Sequence, residues 1–274
     1  AVVKTFSSYF APIIEHLPPH ALELVISMMI DNLTSYKEMQ QDWLKKTRRS
    51  VKTLSRERLC AYINNNIHFT ILVGKAIENL VEYVDSEDVA SRIIELSLRK
   101  NKVFIEDAYD VLLSVKEDIQ NDIFIILKKN MFSGNWYDKN DYILEVKVAI
   151  DWNLRNVTAW LESDEMSSRI KRNLLFAIYE FSLELIVLGD FKVSQRLIKR
   201  MEEDLQLWSH IYKEYFSPED EEVDSEDINI INFRLNAWNA IIKLLSLDFR
   251  EIPIFVRQEL IEYFGPKNAL KIWY

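Results

Sequence analysis

The residues of this chain that could ligate a metal or relay a proton are four histidines, one cysteine and a large supply of carboxylates. His16 and His20 stand four apart, the spacing at which one helix face offers two ligands to a metal. Pro18 and Pro19 lie between them, and proline removes amide donors and clashes with the preceding turn, so that helix cannot form. His68 lies among Ile67, Phe69 and Ile71 and reads as partly buried or surface. His210 follows Trp208 and Ser209 near a helix end, where a cation is favoured, and no nucleophile adjoins it in sequence. Cys60 adjoins Leu59 and Ile63 and reads as a small core residue. With one cysteine no internal disulfide forms, which fits a reducing cytosolic compartment. No carboxylate stands in an isolated apolar setting that would suit it to acid–base work. A dinucleotide fingerprint, a phosphate-binding loop, a zinc-type cysteine pair and a His-Glu-x-x-His motif are all missing. These residues predict no enzyme, no cofactor and no metal.

The chemistry that remains is electrostatic, and two clusters carry it. Lys45, Lys46, Arg48, Arg49, Lys52, Arg56 and Arg58 form a basic stretch with Glu57 alone against it. It reads as a solvated helix end or as a contact for an acidic partner or anionic lipid headgroups. No aromatic residues interleave these charges, which disfavours RNA. The segment Ser217–Asp227 holds Glu219, Asp220, Glu221, Glu222, Asp224, Glu226 and Asp227 without a Lys or Arg. It reads as a solvated loop, an electrostatic docking site, or a region phosphorylated at Ser217 or Ser225. It supplies most of the net charge of −9, so the remaining chain is nearly neutral and wholesale nucleic-acid binding is not expected. Among the seven tryptophans, Trp208 and Trp238 sit on apolar stripes and read as core. Trp136 and Trp273, at a turn and near the end of the sequence, are candidate binding anchors.

The elements that must position these residues are helices. Gly occurs 4 times and Pro 6 times in 274 residues, far below common usage, so few points exist where a helix can stop. A helix begins near His20 with Pro19 in its first turn and runs through Trp43 into the basic stretch. A second runs from about Ser55 to Val84, with Leu59, Ile63, Ile67 and Ile71 on one face and Val73, Ile77, Leu80 and Val84 on a neighbouring one. Ser86 caps a third segment that reaches about Lys129 as one long helix or as two with a break near Asn101. The clearest turn follows, from Phe132 to Asp141. Ile143, Val146, Ile150, Leu154, Val157 and Leu161 then step by three and four, as do Leu174, Ile178, Phe181, Leu185 and Leu188. Gly189 reads as a C-cap and Asp190 as an N-cap for a helix carrying Leu197, Met201, Leu205, Trp208, Tyr212 and Tyr215. Ile228, Ile231, Leu235, Trp238, Ile242 and Leu245 mark another, Pro253 starts a short one, and Gly265-Pro266 separates a last turn. No strand pattern and no fixed-period repeat competes. Short turns between helices predict antiparallel neighbours, as in stacked bundles, with units at residues 1–131 and 132–274 or one continuous unit. Leu174–Leu188 is the most apolar stretch, and Glu180 and Glu184 interrupt it as a membrane span. The sequence opens at Ala1 without Met, which predicts a piece of a longer protein, and no signal peptide is visible.

Several stretches resemble the C-terminal half of the exocyst subunit of the Sec-six type. They are Phe10–Ile14, Leu22–Leu33 with Tyr36 and Lys37, Leu59–Asn66, the helix Tyr142–Trp160 and the helix Arg172–Leu188, in matching order. The resemblance stops before Asp248–Tyr274. It implies an all-α, elongated rod of stacked antiparallel helical bundles without an active site or cofactor. It implies a subunit of a multisubunit vesicle-tethering complex in exocytosis, cytoplasmic and peripheral to the plasma membrane at sites of secretion. The implied partners are other tethering subunits, SNARE and SNARE-regulating proteins and the anionic membrane surface, with no nucleic acid or small-molecule substrate. Two rivals come from other classes. One is a helical adaptor binding anionic membrane or RNA through residues 45–58. The other is an all-α enzyme with facing Asp-rich motifs, for which the acidic segment 217–227 is too dense and too loop-like.

Overall fold

Where no glycine or proline interrupts the apolar spacing, backbone hydrogen bonds propagate and the helix continues. The computed structural model describes residues 17–50, 55–82, 84, 86–133, 136, 141–188, 193–216, 225–248 and 250–273. Its elements run α1 (Pro19–Ser50), α2 (Arg56–Val81), α3 (Glu87–Asn130), α4 (Asp141–Trp160), α5 (Asp164–Leu188), α6 (Gln195–Phe216), α7 (Ser225–Ser246), α8 (Ile252–Phe255), a π-helical turn (Val256–Leu260) and α9 (Ile261–Trp273). No strand occurs among the described residues, and the chain is all-α as its spacing predicts.

The segment with the doubtful break at Asn101 is one helix, α3, of 44 residues. At ~1.5 Å per residue it is about 66 Å long. Its buried residues Ile93, Ser97, Asn101, Phe104, Ala108, Val111, Val115, Ile119, Ile123 and Leu127 step by three and four without a gap. Asn101 is polar but stays on the stripe, because a polar side chain does not stop a helix that keeps its amide donors. In α2, Leu59, Ile63, Val73 and Ile77 are buried as their spacing predicts, whereas Ile71 is exposed and Cys60 and Asn66 are buried beside them.

Serine sets the helix starts. Ser55, Ser163 and Ser194 each precede a helix, and their Oγ atoms accept the N–H groups of Arg58, Met166 and Leu197 at 3.4, 3.3 and 3.2 Å. The Ser86 carbonyl accepts the Ala90 N–H at 2.9 Å, the N-cap position read from the sequence. Ser194, not Asp190, caps α6, because residues 193–194 are not helical. Gly189 and Asp190 lie outside the described residues.

The chain divides into two compact units. The first is Ala1–Glu117 with Arg155–Ile170; the second is Asp118–Leu154 with Lys171–Tyr274. In the first, Val73 and Ile77 of α2 pack with Ile93 of α3, bordered by Val25, Phe69 and Leu96. Phe69 meets Phe104 edge-on at 4.9 Å. Asn64 holds the corner after α4, donating to the Trp160 carbonyl at 2.7 Å and accepting the Glu162 N–H at 3.1 Å. In the second unit, α4 buries Ile143, Val146, Ile150 and Leu154, four residues of the row read from the sequence. Phe124 stacks on Phe181 at 3.7 Å, and the Tyr212 hydroxyl donates to the Leu175 carbonyl at 2.8 Å. Trp208 and Trp238 are core, as expected.

The C-terminal elements build one wall of the site described below. Pro253 lies in the first turn of α8. Val256 and Leu260 of the π-helical turn are buried with Leu244 and Ala269. A π-turn holds an extra residue per turn and so resets the direction of the side chains that follow. Gly265 then breaks α9 with φ 70° and ψ 163°, a conformation that only glycine adopts without strain. An added Cβ there would meet nothing within 4 Å, so the cost of substitution is in the backbone alone. Gly265→Ala is expected to destabilise this segment by about 1–3 kcal/mol, read as faster amide exchange across Val256–Ala269 with α3 unchanged.

Candidate functional site

The two charge clusters fall in different surroundings. Lys45, Lys46, Arg48 and Arg49 belong to the last turns of α1, and Arg56 and Arg58 to the first turn of α2. Lys46 and Arg58 are exposed and Arg56 is half-buried. Lys52 lies outside the described residues, as do Glu219, Asp220, Glu221, Glu222 and Asp224. Glu226 and Asp227 are not in a loop: α7 begins at Ser225 and takes both into its first turn. His16 is outside the described residues; His68 is exposed and pairs with Glu162 at 2.9 Å, and His210 is exposed. Cys60 is buried, and burial pushes its thiol pKa up to about 11, so it stays protonated.

Trp136 is not an exposed anchor. It is buried, and its Nε1 donates to Asp204 Oδ2 at 2.9 Å. The Tyr142 hydroxyl donates to the same oxygen at 2.6 Å. Arg200, one turn before Asp204 on α6, approaches Oδ1 at 3.3 Å and pairs with Glu203 at 3.3 Å. Asp204 is fully buried. Loss of hydration raises its pKa to about 6 from 3.8, although Tyr142, Arg200 and Trp136 all favour the anion.

A second buried network ties α1, α2 and α3. Lys37 donates to the Tyr62 hydroxyl at 2.8 Å and to Asn66 Oδ1, and pairs with Asp107 at 2.8 Å. Tyr62 and Asn66 donate in turn to Asp107 at 2.6 and 3.0 Å. Burial opposes charge on Asp107, but the bonds from Lys37, Tyr62 and Asn66 outweigh it and hold the carboxyl below its usual pKa. The Lys37 pKa is lowered by burial, with Asp107 opposing. Every polar group in this set is turned on another member, so its chemistry is that of a structural clamp.

Among the described residues of the second unit, α5, α7 and α9 line a cleft of about 490 Å³. Tyr179 and Leu183 form one wall, Ile230 and Phe233 another, Tyr263 and Phe264 the third. The Phe233 and Tyr263 rings meet at 5.2 Å. Arg234 lies on the Phe176 ring at 4.4 Å and pairs with Glu180 at 2.6 Å, which joins α7 to α5. Elsewhere on this unit, Leu144, Val148 and Trp152 stand exposed on successive turns of α4. Among the described residues no group of three or more His, Cys, Asp or Glu is placed to hold a metal, and no helix is long and apolar enough to cross a membrane.

No protein-family model matches the chain, and no curated protein is similar to it in sequence. Its fold is similar to a solved structure, the crystal structure of the C-terminal domain of the exocyst subunit Sec6p. The TM-score is 0.62 at 12% identity, covering 99% of this chain and 71% of that one. At that identity the likeness is one of fold. Its coverage takes in the helices after Asp248, where the sequence resemblance stops.

Two outcomes follow from the buried charges. Lys37→Met leaves Asp107 without its cation and is expected to cost about 3 kcal/mol in urea unfolding; Lys37→Met with Asp107→Leu recovers much of that loss. Asp204 holds its proton more tightly folded than unfolded, so its contribution is fully present below pH 3.8 and is lost as pH rises to about 6. At about 1.4 kcal/mol per pH unit, Asp204→Asn is expected to gain about 3 kcal/mol relative to the parent between pH 4 and 7. Parallel stability curves for the two proteins would refute this.

Proposed function

We propose that this chain is a non-catalytic subunit domain of an exocyst-like vesicle-tethering complex that acts through protein–protein contacts. The observation that carries this reading is the similarity of fold to an exocyst subunit domain across 99% of the chain. The composition supports it, since the chain is built from long helices with few breaks and offers no glycine-rich loop for a phosphate or cofactor. The proposed partners are other subunits of the complex, with SNARE and SNARE-regulating proteins as further partners. The proposed location is the cytoplasmic periphery of the plasma membrane at sites of secretion, where the basic stretch Lys45–Arg58 provides cations for anionic headgroups.

Affinity capture of the chain from cytosol, with mass spectrometry of what stays bound, tests the reading. Co-purification of several large helical subunits together with SNARE proteins is expected. Recovery of RNA-binding proteins or of a single metabolic enzyme instead would sink it.

A further inference from the structure

We propose that two copies of this chain associate through the outward face of α4, with the two helices antiparallel about a two-fold axis at the level of Ile150.

Spacing comes first. The exposed residues of α4 are Leu144, Glu145, Val148, Trp152, Arg155 and Ala159, and its other described residues are buried or half-buried. From Glu145 to Ala159 the exposed positions step by three, four, three and four, with Leu144 at the edge. That is the heptad seam along which two helices lie side by side. The opposite face of α4 already supplies the core with Ile143, Val146, Ile150 and Leu154, so this second row is surplus to the fold. Val148 and Trp152, at its centre, are 66% and 68% exposed. A single exposed apolar side chain needs no explanation, whereas apolar residues in seam register on an outer face mark a contact. The row lies on one unbroken helix, so its register follows from helix geometry alone.

The order of charges selects the occupant. The seam runs acid, apolar, aromatic, base: Glu145, Val148, Trp152, Arg155. Turned end for end it matches itself, as a two-fold contact between identical surfaces requires. Glu145 then faces Arg155 of the second copy, Val148 faces Trp152, and each pair occurs twice. A parallel arrangement would set Glu145 on Glu145 and Arg155 on Arg155, like charge on like. Among the described residues neither Glu145 nor Arg155 is held in an ion pair, so both are open to a second copy. Asp151 comes near its own copy beside the axis. Its charge is already answered by Lys147 at 3.0 Å and by the Tyr215 hydroxyl. One helix face is smaller than the roughly 800 Å² per partner of a standard interface, so the expected dimer is weak, with a Kd on the order of 10 μM.

Sedimentation velocity of the whole chain, from about 1 to about 200 μM, reads the association. A monomer–dimer equilibrium is expected. Trp152→Ser, at an exposed position, is expected to weaken it at least about tenfold. Glu145→Arg and Arg155→Glu each set like charges against each other at both ends of the seam, and each variant alone is expected to stay monomeric. An equimolar mixture of the two sets opposite charges together at both ends and is expected to restore the dimer. A fold lost in either variant would not return on mixing, so recovery separates the contact from stability. A parent chain that stays monomeric throughout, a dimer unchanged by Trp152→Ser, or a mixture that remains monomeric overturns the proposal. So does a monomeric chain that captures another protein and loses it on Trp152→Ser, which would seat that protein on the face. The contact needs nothing but the chain itself, so sedimentation decides it whatever the affinity capture recovers, and the tethering reading stands or falls separately.

Discussion

Charge taken out of water must be answered by donors and acceptors at bonding distance, and in this chain that requirement decides how the helices meet. Apolar stripes alone are permissive, since two rows of Leu and Ile pack nearly as well after a slide of one turn. A carboxylate with assigned donors matches at one setting only. Asp204 gathers Trp136 from the turn after α3 and Tyr142 from α4. Lys37, Tyr62, Asn66 and Asp107 do the same for α1, α2 and α3. Asn64 fixes the corner between α4 and α5 through two backbone groups. Each set joins segments that are distant in sequence, and each uses groups that are costly to leave unpaired.

The sequence made the helices legible and left their polar pins hidden. The row Ile143–Leu154 is buried as its spacing predicts, and Val157 and Leu161 continue it in the first unit. A reading by apolar spacing assigns every charge to solvent, and so it chose Leu205 for the stripe of α6. The structure buries Asp204 there, and the steps from Leu197 to Met201, Asp204 and Trp208 are four, three and four. The signal was in the register, at a residue type the pattern excluded. Asn66 escaped for the same reason, and Ile71 was given a buried place it does not hold. The cleft could not be read at all. Its third wall, Tyr263 and Phe264, follows a π-helical turn, which has no periodic signature.

A fold shared at 12% identity is what such a chain should give. The backbone demands apolar residues at three- and four-residue spacing, serines at helix starts and few breaks, and very many sequences meet those terms. What distinguishes one such chain from another is then written on its surfaces. Here those are the apolar cleft between α5, α7 and α9 and the exposed row Leu144, Val148 and Trp152.

The lone cysteine has a practical meaning. Cys60 is fully enclosed in the first unit and its thiol is held protonated, so in the native state it is silent toward thiol reagents. The protein is in effect a blank for site-directed labelling: a cysteine placed at a chosen surface position would be the sole responsive one. The same silence turns Cys60 into an internal clock, because the rate at which a thiol reagent reaches it counts the openings of the α2 core.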